Sequence, residues 1–381
     1  MKVLIAPMSA MAETSGPISR CVLLAEGLKK QNIDVATCIA KDVNFREIDG
    51  VKNYYLETPM PMGMPKAIAT KTFPVAQKLG VTAHKAVNSF DEVLRLTGNQ
   101  DYGYLKRSVE QISEAIDEFK PDVVYSEFNI SAIVAAKLKG VKLCATVSYP
   151  TQHKYAHNAK LAAGLNKLLA ELSMDQVESV LQLFDWADQK FCFSIPELEP
   201  FEESEVIFCG ALKTAAQTDK SRNKILVYMG NGTISAKKML KVIRNAFAGI
   251  HYEVYVASSY LSEETFGNVH VAPRWDFNTL LDESALFINH GGQNSMVDGL
   301  IHGVPQIIVP GKIFERKYNA DKIAENSAGI YLSGAEFTPF DVQNAAEFIL
   351  KSPEMTSNAI KLGRMLMEAG GIDTIIKSLV E

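Results

Sequence analysis

INHGGQNSMVDGLIHGVPQIIVPGKIFERKYNA, residues Ile288–Ala320, is the stretch on which the reading of this chain turns. An apolar run (Ala285, Leu286, Phe287, Ile288) stops at His290-Gly291-Gly292, and a helical pattern follows at once. A glycine turn that opens a helix can hold an anion through backbone N–H groups and the positive end of the helix dipole. Asn294 and Ser295 add side-chain donors at the helix start. A diphosphate cradle of His290, Gly291, Gly292, Asn294 and Ser295 is the functional expectation. The bland one is a tight strand-to-helix turn with Asn294 or Ser295 as N-cap.

Downstream residues weigh on the choice. Asp298 falls just over one turn into the predicted helix, where a carboxylate that accepts two hydrogen bonds suits a ribose diol. An acid at that point also stabilises a helix start by itself. Gly303-Val304-Pro305 ends the helix, and Gln306–Val309 is the next buried strand. Glu315 and Arg316, expected on a loop before a helix from Ala320 to Asn326, pair an acceptor with a donor and suit vicinal sugar hydroxyls. A solvated charged turn is the commoner fate of such a cluster.

Outward from this stretch, strand and helix signals alternate along the whole chain. Val3–Ala6, Asp34–Ile39, Val123–Tyr125 and Lys142–Val147 read as strands, separated by helical patterns at Ile18–Lys29, Tyr102–Phe119 and Ile130–Leu138. A polar stretch, Leu212–Asn223, lacks an apolar period and reads as a linker. A second alternation starts at strand Lys224–Met229 and the turn Gly230-Asn231-Gly232. The length of 381 residues exceeds what one core usually serves. The expectation is α/β, with two doubly wound Rossmann-like domains at residues 1–211 and 224–381. Whether the last helix packs back on the N-terminal domain stays open. Ligands on such sheets bind beyond the carboxyl ends of the strands.

The net charge of −5 offers no general attraction to nucleic acid. The opening MKVLIAP reads as a first strand rather than a leader, and no apolar run is long enough to span a bilayer. Five scattered cysteines without CxxC spacing suggest buried free thiols in the cytoplasm, and no metal site is expected from them. There is no GxGxxG after the first strand, and no DxD pair. Thr58–Gly80, rich in Pro, Met and Lys, reads as a long loop with a short helix; a peripheral membrane contact and a Met-rich pocket lining are both open for it.

In order and spacing, HGGQNS, Asp298, GVPQIIVP, Glu315-Arg316 and Asn319-Ala320 resemble the donor-binding signature of the UDP-glycosyltransferase superfamily, glycosyltransferase family 1. The resemblance implies the GT-B fold, with its two domains facing a central cleft. It implies that His290 binds the donor diphosphate with Gly291, Gly292, Asn294 and Ser295 beside it. Asp298 stands where the family usually has Glu to hold the ribose, one methylene shorter. Glu315 and Arg316 stand where it commonly has Asp-Gln to hold the transferred sugar. The turn after Tyr228 resembles the family's glycine-serine turn, with Thr233 as a phosphate ligand. Val271-Ala272-Pro273-Arg274 resembles the base-binding loop, where Arg274 or Trp275 would cover the base, since both planar groups stack. Core packing is the alternative for Trp275.

The family's base is a His near the start of the first helix, and here Gly16-Pro17 puts a proline in its place. Proline cannot take a proton, though its fixed φ suits a first helical turn. Glu13 and then His153 are the replacement candidates as general base, with a solvated acid and a surface histidine as the bland alternatives. An acceptor that supplies its own activated nucleophile is the other route. The expected function is inverting, metal-independent transfer of a sugar from a nucleoside-diphosphate sugar, UDP-sugar foremost, to a hydroxyl of a small-molecule or lipid acceptor, with no cofactor. A catalytically silent nucleotide-sugar-binding protein is the alternative.

Overall fold

The computed structural model describes residues 1–11, 16–65, 67–69, 86–201, 205–215, 221–230 and 234–380. The chain divides into two compact units. The first comprises residues 1–73, 88–212 and 369–381, and the second residues 74–87 and 213–368. The last thirteen residues therefore group with the first unit, a placement the sequence left open.

The first unit is built on seven parallel strands: β1 (Lys2–Pro7), β2 (Asp34–Thr37), β3 (Lys52–Asn53), β4 (Val123–Glu127), β5 (Lys142–Thr146), β6 (Gln189–Cys192) and β7 (Val206–Phe208). Their order is β3-β2-β1-β4-β5-β6-β7. Five consecutive residues of β1 and all five of β4 are buried, as expected of parallel strands covered on both faces. The helices here are α1 (Gly16–Lys30), α2 (Phe90–Thr97), α3 (Tyr102–Phe119), α4 (Ile130–Lys139) and α5 (Ala163–Glu171). Asp101 caps α3 by accepting from the Tyr104 N–H at 3.1 Å, and Lys120, in the left-handed region ahead of Pro121, ends it.

The second unit has seven strands in the order β10-β11-β9-β8-β12-β13-β14. These are β8 (Lys224–Tyr228), β9 (Glu253–Ala257), β10 (Glu264–Phe266), β11 (Val269–Ala272), β12 (Ser284–Asn289), β13 (Gln306–Ile308) and β14 (Gly329–Tyr331). β10 is antiparallel to its neighbour and the others run parallel. Its helices are α6 (Ala236–Phe247), α7 (Phe277–Asp282), α8 (Gln293–Ile301), α9 (Phe314–Glu325), α10 (Pro339–Leu350) and α11 (Pro353–Glu368). The final helix, α12 (Gly371–Val380), puts Ile375 and Leu379 into the first unit's core with Leu24 and Leu28 of α1. Gly27 is what lets it approach: a Cβ there would meet the Ile372 side chain at 2.5 Å.

Two sequence expectations need correction. The last helix of the diagnostic stretch begins at Phe314, not Ala320, so Glu315 and Arg316 lie in its first turn rather than on a loop. Neither Asn294 nor Ser295 caps α8; Gly292 occupies the N-cap. Of Thr58–Gly80, the described part holds a single-turn 3₁₀ helix at Pro61–Gly63, and the rest lies outside the described residues. All five cysteines are buried and free. Among the described residues no helix is long and apolar enough to cross a membrane.

Candidate active site

In the second unit, β8 leads through α6 to β9 on one side, while β12 leads through α8 to β13 on the other. The chain leaves these two neighbouring strands in opposite directions, which opens a crevice at their carboxyl ends. Tyr228 and Asn289 are paired in register at those ends. Everything the sequence singled out between His290 and Ser295 follows at once.

A buried polar frame holds this turn. Asn289 donates through Nδ2 to Gln306 Oε1 at 2.7 Å and accepts the Gly291 N–H on Oδ1 at 2.8 Å. Gln306 Nε2 in turn donates to the Met296 carbonyl within α8 at 2.9 Å. Asn319 Nδ2 donates to the Gly291 carbonyl at 2.8 Å. Asn289, Gln306 and Asn319 are each at most 3 % exposed, so each bond is made where water cannot substitute. Gly291 sits at φ +78°, and a Cβ there would lie 2.8 Å from the Arg316 carbonyl oxygen. Glycine is required on both counts. A Cβ on Gly292 would lie 2.6 Å from His290 Nε2. As N-cap, Gly292 brings no capping side chain, and no acid occupies the first turn of α8.

His290 is buried, edge-on to the Tyr228 ring at 5.5 Å between centroids. Burial, assisted by the Arg316 charge and opposed by a hydrogen bond with the Tyr228 backbone, pulls its pKa down to about 3. The imidazole is therefore neutral at physiological pH. Among the described residues its Nδ1 is buried without a hydrogen-bond partner. A buried polar atom left unpaired costs free energy.

Asp298 lies on α8, with Lys213 Nζ 3.7 Å from its Oδ1. Burial raises its carboxyl above the usual range, while Lys213 and His302 oppose the shift. Glu315 and Arg316 share the first turn of α9. Burial lowers the Arg316 pKa, and the charges of Glu315 and Tyr228 oppose that. On the β11–α7 loop, Arg274 is exposed. Trp275 spends its indole N–H on the Val256 carbonyl at 3.1 Å and meets Tyr255 edge-on at 5.2 Å. Thr233 lies outside the described residues.

The first unit repeats the topology. β1 leads through α1 to β2 on one side, and β4 through α4 to β5 on the other. Pro7 and Glu127 are paired in register at the crevice. Here lies a group the sequence reading missed. Glu127, 1 % exposed, accepts from Arg20 Nε at 2.6 Å and from the Thr146 hydroxyl. Tyr125 Oη is 3.0 Å from that hydroxyl. The Arg20 guanidinium lies 5.4 Å from the Phe128 ring centroid and 5.8 Å from that of Phe193. Burial pushes the Glu127 carboxyl up, and Arg20 and Thr146 pull the other way. Phe128 has φ +58°, an outlier for a bulky side chain and one of the places where strain collects near sites. Pro17 is the second residue of α1. Glu13 lies outside the described residues. His153 sits in a 3₁₀ turn after β5, with Nε2 3.9 Å from Glu178 Oε2.

Residues 250–381 match the family described as Erythromycin biosynthesis protein CIII-like, C-terminal domain. An NDP-glycosyltransferase of Bacillus subtilis (strain 168), YjiC, is 25 % identical over 192 residues, 49 % of this chain and 46 % of its own length. The chain thus spans about half the length of that relative. Among solved structures, the glycotransferase of kitacinnamycin superposes with a TM-score of 0.76 at 16 % identity, covering 100 % of this chain and 98 % of that one. The spinosyn rhamnosyltransferase SpnG complexed with thymidine diphosphate superposes with a TM-score of 0.72 at 15 % identity, covering 100 % of both chains. With two doubly wound sheets and these likenesses together, the chain has the GT-B fold, and its second half is similar to glycosyltransferases of that fold.

Proposed function

We propose that this protein transfers a sugar from a nucleoside-diphosphate sugar to a small-molecule acceptor with inversion at the anomeric carbon. The observation that carries the reading is the Gly291 turn. Asn289 and Asn319 fasten both its backbone groups, which holds the buried His290 and the glycine-capped start of α8 at the end of the central strands. Such an end is a preorganised anion site. In this reading His290, Gly291, Gly292, Asn294, Ser295 and Thr233 take the diphosphate, Asp298 the ribose, and Glu315 and Arg316 the sugar. Arg274 and Trp275 flank the base. UDP and TDP both fit the reading; TDP is the nucleotide held by the related SpnG.

The acceptor side belongs to the β1–β4 crevice of the first unit, with Glu13 or His153 as base. A second reading, a nucleotide-sugar binder without turnover, is favoured by Pro17 at the start of α1 and by the engagement of Glu127 with Arg20 and Thr146. Calorimetric titration with UDP and TDP, followed by a donor-hydrolysis and transfer assay against an acceptor panel, tests both. Nucleotide binding with turnover supports transfer. Binding without turnover on any acceptor supports the silent reading, and no binding removes both.

A further inference from the structure

We propose that Lys213 is a positioning residue for the donor nucleotide: its ammonium pairs with Oδ1 of Asp298 and leaves the carboxylate's remaining acceptor sites to the ribose hydroxyls. This rests on the ribose assignment above and adds to it a residue from outside the diagnostic stretch.

The pair is set by where the linker meets α8. Lys213 is the residue at which the chain enters the second unit from Leu212. Its Nζ lies 3.7 Å from Asp298 Oδ1, and the Asp298 side chain is 21 % exposed, so a ligand can still reach it. Apart from Lys213, no group among the described residues bonds to that carboxylate. A carboxylate has about four lone-pair positions and a lysine contact uses one, so acceptor capacity for two hydroxyls remains.

The far end of the linker holds the same helix. Arg222 donates to the carbonyls of His302 at 2.7 Å, Gly303 at 3.0 Å and Ser284 at 3.3 Å. His302, one turn beyond Asp298, pairs through Nδ1 with Asp282 Oδ1 at 2.7 Å. The end of α8 is therefore fastened from the linker and from α7, and Asp298 is presented to Lys213 from a fixed support.

The charge of the pair explains its use. Burial works against an ionised Asp298, and Lys213 is the first group that opposes burial, with His302 second. α9 and α11 also pack on α8, but among the described residues no charged group from either acts on Asp298. An ionised carboxylate accepts from a hydroxyl more strongly than a neutral acid does. Lys213 is half exposed, and an ion pair with an exposed partner adds little to stability. Its effect falls instead on how well Asp298 accepts the ribose. Without Lys213, Asp298 takes up a proton at a higher pH, so the grip on the ribose weakens from the acid side first.

The test is titration of the wild type, Lys213→Met and Lys213→Arg with UDP and 2′-deoxy-UDP at pH 6 and pH 8.5, with thermal melting alongside. Both ligands carry the same diphosphate, so the ratio of their affinities cancels its own titration and reads the 2′-hydroxyl contact. The wild type is expected to prefer UDP by about tenfold at both pH values. Lys213→Met is expected to keep that preference at pH 8.5 and to lose about 3- to 10-fold of it at pH 6, with its melting unchanged. Lys213→Arg keeps the charge and is expected to follow the wild type. The inference is overturned if the ratio for Lys213→Met matches the wild type at both pH values, or if it falls equally at both. A wild type that binds UDP and 2′-deoxy-UDP alike sinks the ribose assignment itself, a result distinct from a wild type and a Lys213→Met variant that share the same preference for UDP.

Discussion

Asn319 donates to the Gly291 carbonyl at 2.8 Å across 28 residues of sequence, and so ties the first half of α9 to the turn between β12 and α8. Removing the amide strands a buried carbonyl. Asn319→Ala is expected to cost about 1–3 kcal/mol of stability. Because Gly291 belongs to the proposed anion site, UDP affinity should fall as well. Chemical denaturation and calorimetry on the same preparation measure both. A variant as stable as the wild type would show that water or a shifted partner replaces the bond.

His290 makes stability pH-dependent. Its folded pKa lies near 3, below the ordinary 6.5, so the unfolded chain takes up the proton first as pH falls. Its contribution is complete above about pH 6.5 and is lost between there and about pH 3, at up to about 1.4 kcal/mol per pH unit. Glu127, whose carboxyl is raised by burial, contributes with the opposite sign, so the comparison must be made against a variant. Urea midpoints at pH 4, 5.5 and 7 should fall more steeply for the wild type than for His290→Asn. Parallel curves would refute a buried neutral imidazole.

The Arg20–Glu127 pair is a second target. Breaking a buried ion pair leaves an uncompensated charge, so Glu127→Met is expected to cost about 3–5 kcal/mol. Arg20→Met combined with Glu127→Met removes both charges and should recover most of that loss. The double-mutant cycle by denaturation decides the point, and a double variant no better than the single would count against a paired role.

Asp298 offers a test of the ribose assignment. A carboxylate that holds both ribose hydroxyls has more to lose with UDP than with TDP, which lacks the 2′-hydroxyl. Asp298→Asn is expected to weaken UDP by about tenfold, and TDP by distinctly less. Equal losses in parallel titrations would move Asp298 out of contact with the 2′ position.

The fold was legible because both sheets are built from short apolar strands separated by amphipathic helices, and burial on both faces leaves that pattern in composition. The glycine turn was legible because Gly291 and Gly292 are tolerated there for reasons of shape. The start of α9 was not. Of its twelve residues only Asn319, Ala320 and Ile323 are buried, so its first turn shows no apolar period, and Glu315 and Arg316 read as loop. Asn289 and Gln306 were hidden for another reason. Each lies at one end of a buried apolar strand, and only their hydrogen bonds to each other, to the glycine turn and to α8 reveal the frame. Glu127 and Arg20 are separated by 107 residues, a distance at which a charge pair leaves no local trace.

The Trp275 indole, hydrogen-bonded to Val256 and set against Tyr255, has a use beyond any part it takes in ligand contact. The chain has two tryptophans, and the other, Trp186, lies in the first unit. Each half of the protein thus carries its own intrinsic fluorophore. In a Trp186→Phe background the emission spectrum reports on the second unit alone, so ligand occupancy and the unfolding of that half can be followed optically without a label.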